Sequence, residues 1–197
     1  GLLMYFPQIE MKRLLAYSTI TQLSYMFLGL SFAMAGSSQG YSGALMHLFN
    51  HAFSKGLFFL VAGALSASTG SIFLTDYSGI FRRSRLLGAS FIVAAISITG
   101  IPPLNCFFSK FTIISAGFLS GGIFTVLSIM AIAESVFCFI WFLRWLQKCV
   151  MGKESEIIRS STGIGWSISA SLLTLSILCF ISQYIAMELL PRGVWPW

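Results

Sequence analysis

From Leu14 to Ser54 the chain carries no Asp, Glu, Lys or Arg. An apolar, charge-free run much longer than about 18 residues marks membrane-spanning sequence. The rest of the chain is of the same kind: 56% of its 197 residues are hydrophobic and 9% are charged, against about 25% charged in soluble domains. So few charges cannot cover the surface of a soluble fold of this size. The short alternating segments of a β-barrel are also absent. The sequence reads as all-α, a polytopic transmembrane helical bundle.

Five apolar units can be drawn, at about Leu14–Ala35, Ala44–Ser66, from Leu86 onward, Ile123–Leu146 and Ile164–Glu188. Four suit the roughly 20 residues of one helical crossing. The third is interrupted by Gly100-Ile101-Pro102-Pro103-Leu104-Asn105. Pro102 and Pro103 remove two backbone donors and disfavour the helical conformation just before them. This unit is therefore a discontinuous helix. Lys and Arg collect on the cytoplasmic side of membrane proteins. A single broken crossing puts Lys12, Arg13, Arg82, Arg83, Arg85, Arg144, Lys148, Lys153 and Arg159 on one side and Arg192 on the other. A double crossing would erase that bias, so one broken crossing is expected.

The net charge of +6 belongs to this topology signal, and nucleic acid is not an expected partner. Cys106, Cys138, Cys149 and Cys179 have no CxxC spacing and lie in or near apolar spans, as small buried hydrophobes do. The chain opens at Gly1 and enters apolar sequence at once. It lacks the basic start and cleavage site of a signal peptide, and is expected to continue a longer polypeptide or form one part of a split one.

Three ionisable side chains, Lys55, Lys110 and Glu134, remain inside the predicted membrane region. A charge at the bilayer centre costs about 2.5–3.5 kcal/mol on insertion scales. Chains keep such groups where they pair, line water or move ions. His47, His51 and Lys55 recur every fourth residue, a stripe about 12 Å long at about 1.5 Å per residue. Asn50 and Ser54 widen its edge. Histidine titrates near neutrality and burial disfavours a charged amine, so the stripe can pass a proton through water without large movement. Hydrogen bonding to neighbouring helices is the structural alternative for each residue. Two histidines four apart can also share zinc, but no HExxH glutamate or third ligand accompanies them, and no metal is expected. Lys110 follows the proline break, where freed carbonyls can stabilise a cation; a lysine reaching outward to the surface is the alternative. Glu134 can counter Lys110 or Lys55, or serve as a neutral packing group. Ser18, Gln22 and Tyr25 share a face of the first unit and can line the same wet path, or simply bind helix to helix. No glycine-rich phosphate loop and no Ser/His/Asp arrangement occurs, so no catalytic site and no cofactor are expected.

Glu10–Leu30 (EMKRLLAYSTITQLSYMFLGL), His47–Gly63 (HLFNHAFSKGLFFLVAG) and Gly100–Phe118 (GIPPLNCFFSKFTIISAGF) together resemble the antiporter-like subunits of respiratory complex I, of membrane-bound energy-converting hydrogenases and of Mrp-type sodium/proton antiporters. The resemblance covers about residues 2–152. It implies one of two inverted five-helix repeats, with a broken helix and a membrane-level line of lysines, histidines and glutamates. Lys55 resembles the central-axis lysine, His47 and His51 its companions, and Lys110 the lysine of the second broken helix near the outlet. Glu10 stands where an aspartate is usual, and Ser54 makes HAFSK of the usual HAFFK. The first repeat, with its inlet glutamate and paired lysine, has no counterpart here. Glu134 matches no common motif.

The resulting expectation is residues 1–152 as the second-repeat part of an antiporter-like module, with a loop and final helix over 153–197. The function implied is proton, or sodium, translocation within a redox-driven membrane complex, alongside further antiporter-like subunits and a missing N-terminal half. A structural scaffold and an Mrp-type antiporter are the alternatives. The lipid bilayer is the setting, with a prokaryotic cell membrane favoured over a mitochondrial inner membrane.

Overall fold

The computed structural model describes residues 1–4 and 6–189; Arg192 lies outside them. The described residues form eight α-helices with short connections: α1 (Met11–Met34), α2 (Ser38–Thr69), α3 (Ile80–Arg83), α4 (Arg85–Thr99), α5 (Asn105–Ser120), α6 (Ile123–Met151), α7 (Glu156–Arg159) and α8 (Trp166–Leu189). By length and composition α2, α6 and α8 can each cross a membrane, and α4 is a shorter apolar helix. Tyr17, Ser18, Thr19, Thr21, Gln22, Ser24 and Tyr25 leave α1 less apolar than these three, although it is 24 residues long. The chain is an α-helical transmembrane bundle, and apolar side chains such as Phe27, Val136, Ile140 and Ile177 face outward from it.

The termini of the helices follow local chemistry. Ser37 caps α2, its hydroxyl accepting from Gly40 N at 3.1 Å, and Gly70 closes the helix in the left-handed region. Side-chain acceptors and left-handed glycines satisfy the backbone groups that a helix end leaves unpaired. Ser84 caps α4, and Gly100, at φ 80°, ends it. A side chain at Gly100 would also meet Lys110, whose Cδ lies 2.9 Å from where a Cβ would stand. The break then runs through Pro102 and Pro103 to α5.

Contacts along α2 settle how the broken unit crosses. Phe58 packs on Phe91 with ring centroids 5.3 Å apart. Ser54 bonds Ser97, Asn50 bonds the Asn105 carbonyl at 3.0 Å, and His47 bonds Ser109 at 2.8 Å. Gly43 lies against Ile113. The partner numbers rise steadily as the α2 numbers fall. So α4 and α5 run end to end, antiparallel to α2, as one crossing in two pieces. They have 15 and 16 residues, each short of a full span. Their common direction returns α6 to the end of the bundle where α1 begins. There Cys149 Sγ contacts the Leu74 carbonyl and Met11 N donates to Ile72 O. Lys12, Arg13, Arg82, Arg83, Arg85, Lys148, Lys153 and Arg159 gather at that end, eight of the nine basic residues that a single broken crossing places there, with Arg144 a turn before Lys148 in α6.

The core is layered. One apolar cluster holds Leu14, Leu15, Phe58, Val61, Leu65, Phe91, Ile98 and Phe142. A second holds Tyr25, Phe32, Ile113, Ala116 and Ala131. Between them lies a layer of buried polar side chains: Ser18 and Gln22 on α1, His47, Asn50, His51, Ser54 and Lys55 on α2, Ser97 and Thr99 on α4, Asn105, Ser109 and Lys110 on α5, and Ser182 and Gln183 on α8.

Candidate functional site

The polar layer is the candidate site. His47, His51, Lys55 and Lys110 are 0, 7, 6 and 3% exposed, so none of the four reaches outward to a surface. Their neighbours are protein groups from α1, α4, α5 and α6.

His47 is held at both ring nitrogens. Its Nε2 lies 3.1 Å from Gln22 Oε1 and its Nδ1 lies 2.8 Å from Ser109 Oγ. Ser109 Oγ is also 3.2 Å from the Cys106 carbonyl. This geometry accommodates both charge states. In neutral His47, Nε2–H donates to Gln22 and the Ser109 hydroxyl donates to Nδ1. In protonated His47, Nδ1–H donates to Ser109, whose hydroxyl turns to the Cys106 carbonyl. No hydrogen bond of the ring is lost in either state.

His51 stacks on His47, with centroids 5.9 Å apart and planes at 24°. Both of its ring nitrogens are buried without a hydrogen-bond partner among the described residues; Ser18 Oγ and Gln22 Nε2 are in the same position. Buried polar atoms that protein does not satisfy are normally bound by water. Lys55 donates from Nζ to the Leu15 carbonyl at 2.7 Å. That carbonyl also accepts from Thr19 Oγ1 at 3.0 Å. A lysine has three N–H donors, so one carbonyl leaves Lys55 able to donate further. The Phe59 ring lies 6.0 Å from its Nζ.

At the other end of the file, Tyr25 joins the groups. Its ring is 5.6 Å from the His47 ring, and Lys110 Nζ sits 4.5 Å over its centroid. Its hydroxyl lies 2.7 Å from both Glu134 Oε2 and Ser135 Oγ, and contacts the Ala131 carbonyl. Lys110 Nζ reaches Ser135 Oγ at 3.3 Å and the Thr99 carbonyl at 3.4 Å, and stands 4.0 Å from Glu134 Oε2. The Thr99 carbonyl ends α4, so the break supplies a backbone acceptor to the lysine beyond it. Of the two lysines that Glu134 can counter in sequence terms, Lys110 is the one it faces. Its Oε1 is buried and without a protein partner among the described residues.

Pro102 and Pro103 make the break, and a second network fixes it. Asn50 Nδ2 donates to the Asn105 carbonyl at 3.0 Å and to Gln183 Oε1 at 2.9 Å. Asn105 Nδ2 donates back to the Asn50 carbonyl at 3.0 Å and to Ser182 Oγ at 2.8 Å. Asn105 Oδ1 accepts from Cys106 N at 2.8 Å and from the Ser97 and Ser54 hydroxyls. Four helices meet in this knot. Periodicity exposed Asn50 and Ser54 as part of the polar edge, but not Ser182 and Gln183, which sit in an otherwise ordinary apolar span. Ser109 and Ser135 were also missed, although each adjoins a buried charge in sequence. Among the described residues no group of three or more His, Cys, Asp and Glu could hold a metal ion.

The fold is a transmembrane helical bundle with a buried polar layer, and its family is that of the antiporter-like membrane subunits. The chain belongs to the NADH:quinone oxidoreductase/Mrp antiporter transmembrane family, whose model matches residues 1–137. It is 32% identical over 151 residues to NADH-quinone oxidoreductase subunit N of Desulforudis audaxviator, covering 77% of this chain and 29% of that one. It is 37% identical over 126 residues to a Na(+)/H(+) antiporter subunit of Alkalihalophilus pseudofirmus, covering 61% and 25%. Its structure resembles a chain of the membrane-bound sulfane sulfur reductase, an archaeal respiratory membrane complex, with a TM-score of 0.83 at 28% identity, covering 96% of this chain and 31% of that one. A chain of the Mrp complex from Dietzia sp. shares the fold, with a TM-score of 0.83 at 21% identity over 96% of this chain and 42% of that one. The chain spans about a third or less of the curated relatives named here.

Proposed function

We propose that the chain is the second-repeat part of an antiporter-like subunit, over residues 1–152, followed by a loop and closing helix over 153–197. It translocates protons across the membrane within a multisubunit, redox-driven complex of the complex I or membrane-bound hydrogenase type. Electron transfer takes place in other subunits, and further antiporter-like subunits flank this one. The bacterial relatives and the archaeal complex support a prokaryotic cell membrane as its location.

The observation that carries this reading is the buried file of His47, His51 and Lys55, in which both His51 nitrogens have no protein partner among the described residues. A stripe that served only to bind helices together would pair those atoms with protein groups, as the side-chain amides of Asn50 and Asn105 are paired at both their nitrogen and their oxygen. The polar layer instead offers protonatable groups at intervals that water can bridge.

Transport follows from electrostatics in a low-dielectric interior. A charge arriving near Lys55 disfavours a second proton on His51 and attracts a counter-charge. His47 accepts a proton at Nδ1 and releases it without losing a hydrogen bond. Through Tyr25, Lys110 and Glu134 respond as a pair: neutralising Glu134 weakens the hold on the Lys110 ammonium. The 37% identity to a Na(+)/H(+) antiporter chain favours a second reading, sodium/proton exchange over the same groups.

Lys55→Ala tests the proposal in the complete assembly reconstituted in liposomes. The variant is expected to assemble and redox turnover to persist, with ion translocation through this chain lost. Translocation at the wild-type ratio of ions to electrons would overturn the reading.

A further inference from the structure

The cations at the loop-bearing end of the bundle are not evenly spread. Arg82, Arg85, Lys153 and Arg159 line one open concavity of about 810 Å³, with Phe81 and Glu154 completing its wall. All four cations are exposed, and the ion pairs among the described residues, Arg13–Glu10 and Lys110–Glu134, involve none of them. Among the described residues Glu154 is the only carboxylate in the lining, so the concavity is strongly cationic.

Two separate loops build it, and backbone contacts fix them together. Gly79, at φ 78°, lies so close to the following loop that a Cβ there would stand 2.6 Å from the backbone of Glu154. The Ser78 hydroxyl is shared between the carbonyls of Lys148, at 3.1 Å, and Lys153, at 2.8 Å. Ser155 N donates to Ser78 O at 3.1 Å, and Ser155 Oγ donates to the Asp76 carbonyl. Lys153 is thus held against the turn that carries Arg82. From the other side, Arg83 Nη2 donates to the Ser161 carbonyl at 2.9 Å, which ties the segment bearing Arg159 to the same turn.

The concavity also adjoins the start of an apolar helix. Arg85 opens α4, whose following residues enter the apolar core. Phe81, 38% exposed, is the apolar wall beside the cations. A cationic bowl with an apolar wall, beside the start of an apolar helix, has the chemistry that complements an anionic lipid headgroup and the chains below it. The side that collects Lys and Arg is also the side where anionic lipids attract them. Guanidinium groups match phosphate oxygens bidentately.

We propose that this concavity binds the headgroup of an anionic phospholipid, its phosphate held by Arg82, Arg85 and Arg159 with Lys153 beside them. The bound lipid couples the loop after α2 to the loop after α6. The site is independent of the polar layer and of what that layer transports.

The test uses the full assembly in nanodiscs of phosphatidylcholine, with or without phosphatidylglycerol, and reads retained lipid by native mass spectrometry. Wild type is expected to keep phosphatidylglycerol through delipidation. Each cation removed should weaken retention about five-fold, and R82Q/R85Q/R159Q on the order of a hundred-fold. Lys153→Gln, on an exposed loop residue, gives the single-site step if the triple variant does not assemble. Three results would overturn the proposal: equal retention by the variants, full replacement of the lipid by inorganic phosphate, or cross-linking of K153C to an acidic segment of a neighbouring protein chain instead of lipid.

Discussion

Ser109→Ala isolates the role of His47. The substitution removes the 2.8 Å partner of Nδ1 and leaves the Gln22 contact in place. In the neutral state the ring loses one accepted hydrogen bond, worth about 0.5–1.5 kcal/mol. In the protonated state a charged N–H loses its acceptor, worth about 1.5–3 kcal/mol. The protonated intermediate is therefore raised by roughly 1 kcal/mol more than the neutral one, which slows a relay through His47 about five-fold. Ser109→Thr keeps the hydroxyl and should restore the rate. The assay is the initial rate of acidification in liposomes holding the assembly, normalised to its redox turnover. A wild-type rate in Ser109→Ala, or equal loss in Ser109→Ala and Ser109→Thr, would refute the two-state hydrogen bonding of His47.

Two further outcomes concern the frame. Asn105→Ala removes contacts to α2, α4 and α8 at once, and should cost roughly 2–4 kcal/mol from buried groups left unpaired, read as a lower unfolding midpoint of the protein and faster proteolysis around α8. Tyr77 lies in the loop after α2 and donates to the Ser71 carbonyl at 2.6 Å; burial first, then the nearby Asp76 carboxylate, pushes its phenol up to about 12. Because the folded state favours the protonated phenol, that stabilisation is complete below about pH 10 and fades as pH rises toward 12. Melting curves of wild type against Tyr77→Phe over this range should converge at the alkaline end, and parallel curves would contradict the assignment.

Much of the architecture was legible because its causes are local. Apolar run length gave the crossings, two prolines gave the break, and the placement of nine basic residues distinguished one crossing from two. The i, i+4 spacing likewise put His47, His51 and Lys55 on one face. Their partners were not legible. Ser109, the Leu15 carbonyl and Ser135 arrive from other helices, and no periodicity reports which hydroxyl will face which ring. The Ser182–Gln183 pair was hidden for the same reason, since in a span of this composition two polar residues look like ordinary variation until Asn50 and Asn105 are opposite them. Glu134 lay between these cases: its cost in the membrane flagged it, but only the packing of α6 on α1 and α5 assigned it to Lys110.

Proton movement through the polar layer requires water joining its buried groups, and a density map of the assembly fine enough to show ordered solvent examines that directly. It should show water within hydrogen-bonding distance of both His51 ring nitrogens, continuing to Lys55 Nζ on one side and to Ser18 and Gln22 on the other. A map in which side chains of a neighbouring protein chain fill those positions and pair with His51 would contradict the transport reading and leave the stripe a structural seam.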